Sequence, residues 1–228
     1  MKELNTFDYY GWDVDEDDQL YKNLKLINRN MTNEEEVLYK QICDKFISKK
    51  RTALHIGSHY GFITKTLSTI FNEVHAFDFD NKIHEFMKHN FKKFNLHNII
   101  VHSYGLGNEN KKVDNSDFIP LKKNYGPLSN HVVENINGKQ FVRKLDDLQI
   151  QNIDFILIDT EGYELNVLKG AFDSIKKFKP VIIIEIHKFK EMTKRYGYDK
   201  EENIKYLQNL GYNLKGYINN QDVLFIPE

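Results

Sequence analysis

The stretch Ile153–Ala171, IDFILIDTEGYELNVLKGA, constrains what this chain can fold into more than any other. Its apolar run reads as a buried strand that delivers Asp159 and Glu161 to the opening of a helix. An open α/β sheet binds its ligands in the crevice beyond the carboxyl ends of its strands, so acids released there point into that crevice. A second segment of the same kind, TALHIGSHYGF from Thr52 to Phe62, reads as a buried strand, a tight turn flanked by Gly57 and Gly61, and the start of a helix. Glycine permits unusual backbone angles and lets a ligand approach the main chain. The G-x-x-x-G spacing departs from the dinucleotide fingerprint G-x-G-x-x-G, because Ser58 and His59 fill the middle. That disfavours a hydride-transfer enzyme and favours another nucleotide-type ligand. A third segment, EVHAFDFD from Glu73 to Asp80, is a strand ending in Asp78, about 20 residues past the glycine turn, where an acid meets ribose hydroxyls.

Together these pieces resemble the FkbM family of S-adenosylmethionine-dependent methyltransferases. HIGSHYG is similar to the family's D-x-G-A-x-x-G and AFDFD to its A-F-E-P. LDDL, Leu145 to Leu148, followed by IDFILIDTEGYELNVLKGA, is similar to L-D-D-L and I-D-x-I-K-I-D-x-E-G-x-E-x-x-V-L-x-G-A. KPVIIIEIH, Lys179 to His187, is similar to the strand that follows, and DVLFIPE to the family's end. The resemblance implies an α/β class I methyltransferase, Rossmann-like: a seven-stranded, mostly parallel sheet with a C-terminal antiparallel hairpin and helices on both faces. It also implies S-adenosyl-L-methionine as cofactor. Gly57, Ser58 and Gly61 then shape the turn around the methionine moiety, with His59 or Tyr60 closing over it. Asp78 holds the ribose, Phe79 lies against adenine, and Ser103, Tyr104 and Leu106 form the opposite wall. Three positions depart from the pattern: His55 stands for an acid, Asp78 for glutamate and Leu157 for lysine. The first bears on contacts to the methionine end, the second keeps a carboxylate for the ribose, and the third takes a cation from beside Asp159.

With 228 residues, 40% of them hydrophobic, the chain is long enough for one α/β domain with a full core. Its 32 basic and 33 acidic side chains give no broad positive field, which disfavours nucleic acid as a partner. The single Cys43 forms no internal disulfide and reads as a small core residue in a reduced compartment. No apolar run is long enough for a membrane span, and the acidic N-terminus is unlike a secretory signal, so the expected location is cytoplasmic.

Residues 1–50 read as an aromatic, acidic arm followed by a covering helix, EEEVLYKQICDKFISKK, capped by Asn33. The arm, with Tyr9, Tyr10, Trp12 and Asp13 to Asp18, reads either as a lid or dimer contact or as a loosely held tail, and contributes no site residue. Residues 51–228 form the methyltransferase domain, in which 108–140 is an acceptor-side insertion carrying an added hairpin. Near the end, helix EENIKYLQNL stops at Gly211, and strands YNLKGYI and DVLFIPE form a hairpin through Asn219 and Asn220.

Methyl transfer requires an acceptor aligned with the sulfonium methyl and a destination for the acceptor's proton. Positioning accounts for about 7–11 kcal/mol and a placed base for about 100- to 10,000-fold. Asp159, Glu161, Glu185 and His187, at the ends of two neighbouring strands, are the catalytic candidates. Asp159 also reads as an N-cap and Glu161 as a helix-dipole partner. The same four residues form a candidate divalent-cation site, which is not the favoured reading. The leading expectation is an O-methyltransferase for a hydroxyl of a sugar, glycan or related metabolite. The alternatives are a ribose 2'-O-methyltransferase on RNA, using Lys111, Lys112, Lys122, Lys123 and Lys139, or a catalytically silent cofactor-binding subunit. Oligomeric state is left open, a homodimer included.

Overall fold

In the computed structural model, described over residues 4–116, 131–186, 196–219 and 221–228, the chain begins with β1 (Thr6–Tyr9) and β2 (Trp12–Asp15). They pair antiparallel across Tyr10 and Gly11, both at positive φ (49° and 89°), as a two-residue turn of this hand requires. Helices α1 (Gln19–Leu26) and α2 (Met31–Phe46) follow. The cap of α2 is Asn30, whose side chain accepts from Thr32 N at 3.1 Å, and not Asn33. The choice is made by a tertiary contact, for Met31 N donates to the Tyr9 hydroxyl at 3.2 Å. At its other end α2 stops at Phe46, because Ile47 turns extended (φ −121°) and buries its side chain.

From there the chain alternates through β3 (Thr52–Ile56), α3 (Phe62–Ser68), β4 (Glu73–Phe77), α4 (Asn81–Lys93) and β5 (Ile99–His102). β6 (Gly105–Leu106), β7 (Lys111–Ser116), β8 (His131–Glu134) and β9 (Gln140–Arg143) form a separate four-stranded sheet, ordered β6-β9-β7-β8. In it β7 and β8 pair antiparallel. Residues 117–130 of the insertion, with Lys122 and Lys123, lie outside the described residues. After a 3-10 turn at Leu145–Leu148 come β10 (Ile153–Ile158), α5 (Glu164–Gly170), α6 (Phe172–Phe178) and β11 (Val181–Glu185). α7 (Glu201–Asn209), β12 (Tyr212–Tyr217) and β13 (Asp222–Pro227) complete the fold.

The main sheet has seven strands in the order β12-β13-β11-β10-β3-β4-β5. β13 runs antiparallel to both β11 and β12, and the pairings from β11 through β5 are parallel. The hairpin turn is shaped by Asn219, whose side chain accepts from Gln221 N and Asp222 N at 2.7 and 2.6 Å. Asn220 lies outside the described residues.

Central parallel strands are covered on both faces, so they read as continuous apolar runs. Alternate residues nevertheless go to different cores. Leu54, Ile56, Ile156, Ile158, Ile182 and Ile184 meet α5, α6 and α7 through Val167, Leu168, Ile175 and Leu207. Ala53, Phe155, Leu157 and Ile183 meet α2 and α3 through Tyr39, Ile42, Cys43 and Leu67. Each fully buried large aliphatic side chain contributes about 1.5–3 kcal/mol. A third core joins the hairpin's Tyr9, Trp12 and Val14 to Phe62 of α3 and to Phe86, Met87 and Phe91 of α4. The arm is therefore packed into the protein and is not a loosely held tail. Among the described residues no helix is long and apolar enough to cross a membrane.

Cys43 has no exposed surface, and burial pushes its thiol up to about 12. Because the thiolate is the nucleophile, a disulfide reagent should leave the native protein unmodified and label it stoichiometrically once denaturant unfolds it. Fast labelling of the native protein would show that α2 opens readily.

Candidate active site

The ends of β3, β4 and β10 are laced together by main-chain hydrogen bonds. Gly57 N and Ser58 N both donate to Phe77 O, at 2.9 and 3.0 Å, and Asp159 N donates to Ile56 O at 2.9 Å. Gly57 has φ +83°, and a Cβ built on it would lie 1.7 Å from the Asp159 carbonyl oxygen. Only glycine fits there. Gly61 (φ +89°) caps α3 through its backbone, with the Phe91 ring behind it. Between the two glycines, His59 is also left-handed (φ +47°) and its N donates to Asp78 Oδ2 at 3.0 Å. Asp78 Oδ1 accepts from Asp80 N at 3.0 Å. Burial pushes the Asp78 carboxyl up to about 6 and the His59 imidazole down to about 4.

A cavity of about 330 Å³ opens over these strand ends. Of the residues expected for the cofactor, Gly57, Ser58, His59, Asp78, Phe79, Leu106 and Asp159 line it. Gly61, Tyr60, Ser103 and Tyr104 are not on its walls, for identifiable reasons. Tyr60 is buried against the arm, where its hydroxyl donates to Asp18 Oδ2 at 3.1 Å. β5 ends at His102, so Ser103 is exposed and Tyr104 packs under the Arg143 guanidinium, its hydroxyl 3.0 Å from His102 Nδ1. Gly105, where an added Cβ would meet the Phe79 Cβ at 3.2 Å, and Leu106 form that wall instead. Sequence reasoning missed Tyr21 of α1, Met31 of α2, Val132 from β8, and Thr160 and Tyr163. Thr160 and Tyr163 flank the recognised acids and were open to inference, whereas no local signal points to Tyr21.

The acids sit on a strained turn. Glu161 is left-handed (φ +55°) and Gly162 follows at +99°, so the helix starts only at Glu164 and Asp159 is not its cap. Glu164, wholly buried, organises the turn: its Oε1 accepts from Gly162 N at 2.8 Å and from Thr160 N at 3.1 Å. Asp159 and Glu161 line the cavity. Glu185 lies behind them, hydrogen-bonded to Asp159 and to the Gln221 side-chain amide. Oxygens of these three carboxyl groups lie within 4.8 Å of one another. Burial, reinforced by the charges of Glu161 and Glu164, holds the Glu185 carboxyl well above the usual carboxylate range. The contact with Asp159 acts the other way and lowers it, so burial decides the direction. His187 lies outside the described residues.

His55 is buried with Nδ1 2.8 Å from Thr64 Oγ1, and desolvation drives its imidazole down to about 3, so it is neutral. Its register partner on β10 is Leu157.

The family model for the methyltransferase FkbM domain matches residues 54–214. The chain belongs to the FkbM methyltransferase family. Membership carries the methyltransferase assignment and S-adenosylmethionine as its cofactor. Among solved structures, an FkbM methyltransferase from Methylobacillus flagellatus KT aligns at 18% identity and TM-score 0.51, covering 78% of this chain. The alignment spans 43% of that protein's length. A SAM-dependent methyltransferase from Aquifex aeolicus aligns at 16% identity and TM-score 0.51, covering 90% of this chain and 96% of its own. A TehB-like SAM-dependent methyltransferase from Corynebacterium glutamicum aligns at 13% identity and TM-score 0.51, covering 92% and 95%. At these identities the likeness is one of fold. Among curated proteins no sequence matches.

The chain's own residues fit this cofactor, since Asp78 brings to the cavity wall, beside the glycine turn, a carboxylate able to accept from a ribose diol. Two measurements test the site. Gly57→Ala should destabilise the FkbM protein by about 3 kcal/mol or more, read by denaturant unfolding, since both strain and overlap oppose it. Glu185 keeps its proton to higher pH when folded than when unfolded, so stability should fall as pH rises from 4.5 towards about 8. Thermal melts of Glu185→Gln across that window should be flatter than those of the unsubstituted protein; parallel profiles would remove Glu185 as the titrating group.

Proposed function

We propose that this methyltransferase acts on a hydroxyl of a sugar, glycan or related metabolite, with Asp159 as the general base. The observation that carries this reading is Asp159 on the cavity wall with Glu185 behind it. Bound S-adenosylmethionine supplies a methyl group that is already an activated electrophile. An alcohol is a poor nucleophile until its proton has somewhere to go, and that is the need a cavity-facing carboxylate meets. In this reading the hydroxyl hydrogen-bonds to Asp159, its oxygen takes the methyl carbon as the carbon–sulfur bond breaks, and the proton ends on Asp159. Glu185 stays protonated behind it and orients it. Glu161, held at the cavity by the left-handed turn, binds a neighbouring hydroxyl of the acceptor. His59, Asp78 and Phe79 hold the cofactor, and Gly57 and Leu106 shape its walls.

Residues 108–140 are proposed as the acceptor-side insertion, a reading supported by Val132 of β8 on the cavity wall. A nucleic-acid acceptor is disfavoured, since 32 basic against 33 acidic side chains supply no broad positive field. The carboxyl cluster is compatible with a divalent cation, but the proton that burial favours on Glu185 lowers its charge, and the mechanism uses none. A cytoplasmic setting is proposed with it, consistent with the buried thiol of Cys43.

Calorimetric titration with S-adenosylhomocysteine, with NADH as control, tests the cofactor; an acceptor screen beginning with sugars tests the reaction. Asp159→Asn should lower kcat by about 100- to 10,000-fold while changing S-adenosylhomocysteine affinity far less. Undiminished turnover in that variant would remove Asp159 from its role, and cofactor binding without turnover on any acceptor would favour a silent subunit.

A further inference from the structure

The cofactor wall is completed from outside the region that matches the family. Tyr21 of α1 lines the cavity beside His59, with ring centroids 5.9 Å apart at 24° and its hydroxyl 3.4 Å from His59 Nδ1. The Tyr21 ring is fixed edge-on against Tyr60 at 5.5 Å, Phe62 at 5.2 Å and Tyr9 at 5.0 Å. Three of these four neighbours, His59, Tyr60 and Phe62, belong to the glycine turn or the first residue of α3.

The polar contacts follow the same route. Asp18 caps α1 with Oδ1, which accepts from Leu20 N at 3.0 Å and Tyr21 N at 3.3 Å, while its Oδ2 accepts from the Tyr60 hydroxyl at 3.1 Å. That hydroxyl in turn accepts from Asp15 N at 3.3 Å. The residue that starts α1 is thus held from within the glycine turn. The turn is held by Asp78, through His59 N. One continuous set of contacts therefore runs from the ribose acid to the arm helix.

We infer that Tyr21 is a cofactor-contacting residue supplied by the N-terminal arm, with the His59–Tyr21 pair forming the wall against the amino-acid end of the cofactor. Docking of α1 and binding of the cofactor then stabilise each other. This rests on the cofactor reading above and extends it to a segment outside residues 54–214. A ligand wedged against Tyr21 and His59 holds the arm down; an arm that lifts takes away one wall. Coupling of this kind has a direct observable, the local opening of α1.

The test uses the full chain. Backbone hydrogen exchange of residues 19–26 is followed with and without saturating S-adenosylhomocysteine, and the ligand's affinity is measured for the unsubstituted protein, Tyr21→Ala and Tyr60→Phe. Expected are slower exchange in α1 on binding and an affinity at least about tenfold weaker for Tyr21→Ala, since truncating a packed aromatic anchor commonly costs that much. Tyr60→Phe keeps every ring and removes only the tie to Asp18, so it should bind more weakly and exchange faster in α1 without unfolding. Normal binding together with unchanged α1 exchange and undiminished affinity in both variants would overturn the inference. Failure of the unsubstituted protein to bind S-adenosylhomocysteine would instead overturn the cofactor reading on which it rests.

Discussion

The site depends on one close approach of two backbones. β3 and β10 are neighbours in the sheet, and their exit turns press together where Gly57 faces the Asp159 carbonyl. The positive φ of Gly57 turns the chain away from the strand axis, and its missing Cβ lets Asp159 N reach Ile56 O. Because Phe77 O accepts from both Gly57 N and Ser58 N, the same turn fixes the end of β4 and with it Asp78. Three strand ends are thereby set at hydrogen-bonding precision by main chain alone. Their side chains, Asp78 and Asp159, are left to face the cavity. This is the general location for ligands in open α/β sheets, reached here through a specific steric requirement at one residue.

Two left-handed residues flank that contact. His59 and Glu161 both hold left-handed backbones that L-residues adopt at a cost of about 1–3 kcal/mol each. Each is over-determined by a buried carboxylate: Asp78 takes the His59 N–H, and Glu164 takes those of Thr160 and Gly162. Desolvating carboxylates is itself unfavourable unless they are hydrogen-bonded, and the bonds that hold these turns also satisfy Asp78 and the Oε1 atom of Glu164. The arm adds rigidity from outside. Chain termini are commonly poorly ordered unless tied down, and here Asp13 exchanges amide hydrogen bonds with the buried Asn90 and ion-pairs with Lys93.

The parts of the fold legible in the sequence are those written in short-range patterns. Apolar runs broken by glycine turns mark β3 and β10, and periods of three and four mark α3 and α4. What stayed hidden was decided by contacts distant in sequence. Three asparagines, Asn28, Asn30 and Asn33, precede or open α2, and the Tyr9 hydroxyl on Met31 N selects Asn30. The hairpin of β1 and β2 turns on Tyr10-Gly11, where a tyrosine takes the positive φ usually left to asparagine or aspartate. The site was legible to the same extent. Asp78, Asp159 and Glu161 follow directly from strand ends, whereas Tyr21 reaches the cavity only because aromatic packing folds the arm over α3 and α4. Tyr104 failed as a wall residue because β5 ends two residues earlier and its ring is taken by Arg143.

Two of the departures from the family pattern, His55 and Leu157, are linked by the register of the sheet. They are direct partners across β3 and β10. An acid and a lysine at these positions would be cross-strand neighbours on a buried face, and each charge would depend on the other for compensation. Losing one alone would strand a buried ion, a change that costs several kcal/mol. This chain has replaced both. His55 is neutral, and Thr64 of α3 takes one ring nitrogen. Leu157 joins the apolar core with Tyr39, Ile42 and Phe155. His55 also lies on the cavity wall, so the change at that position bears on the pocket as well as on the packing between β3 and β10. Asp78, Asp159 and Glu161 lie outside that exchange, and the cavity keeps its carboxylates.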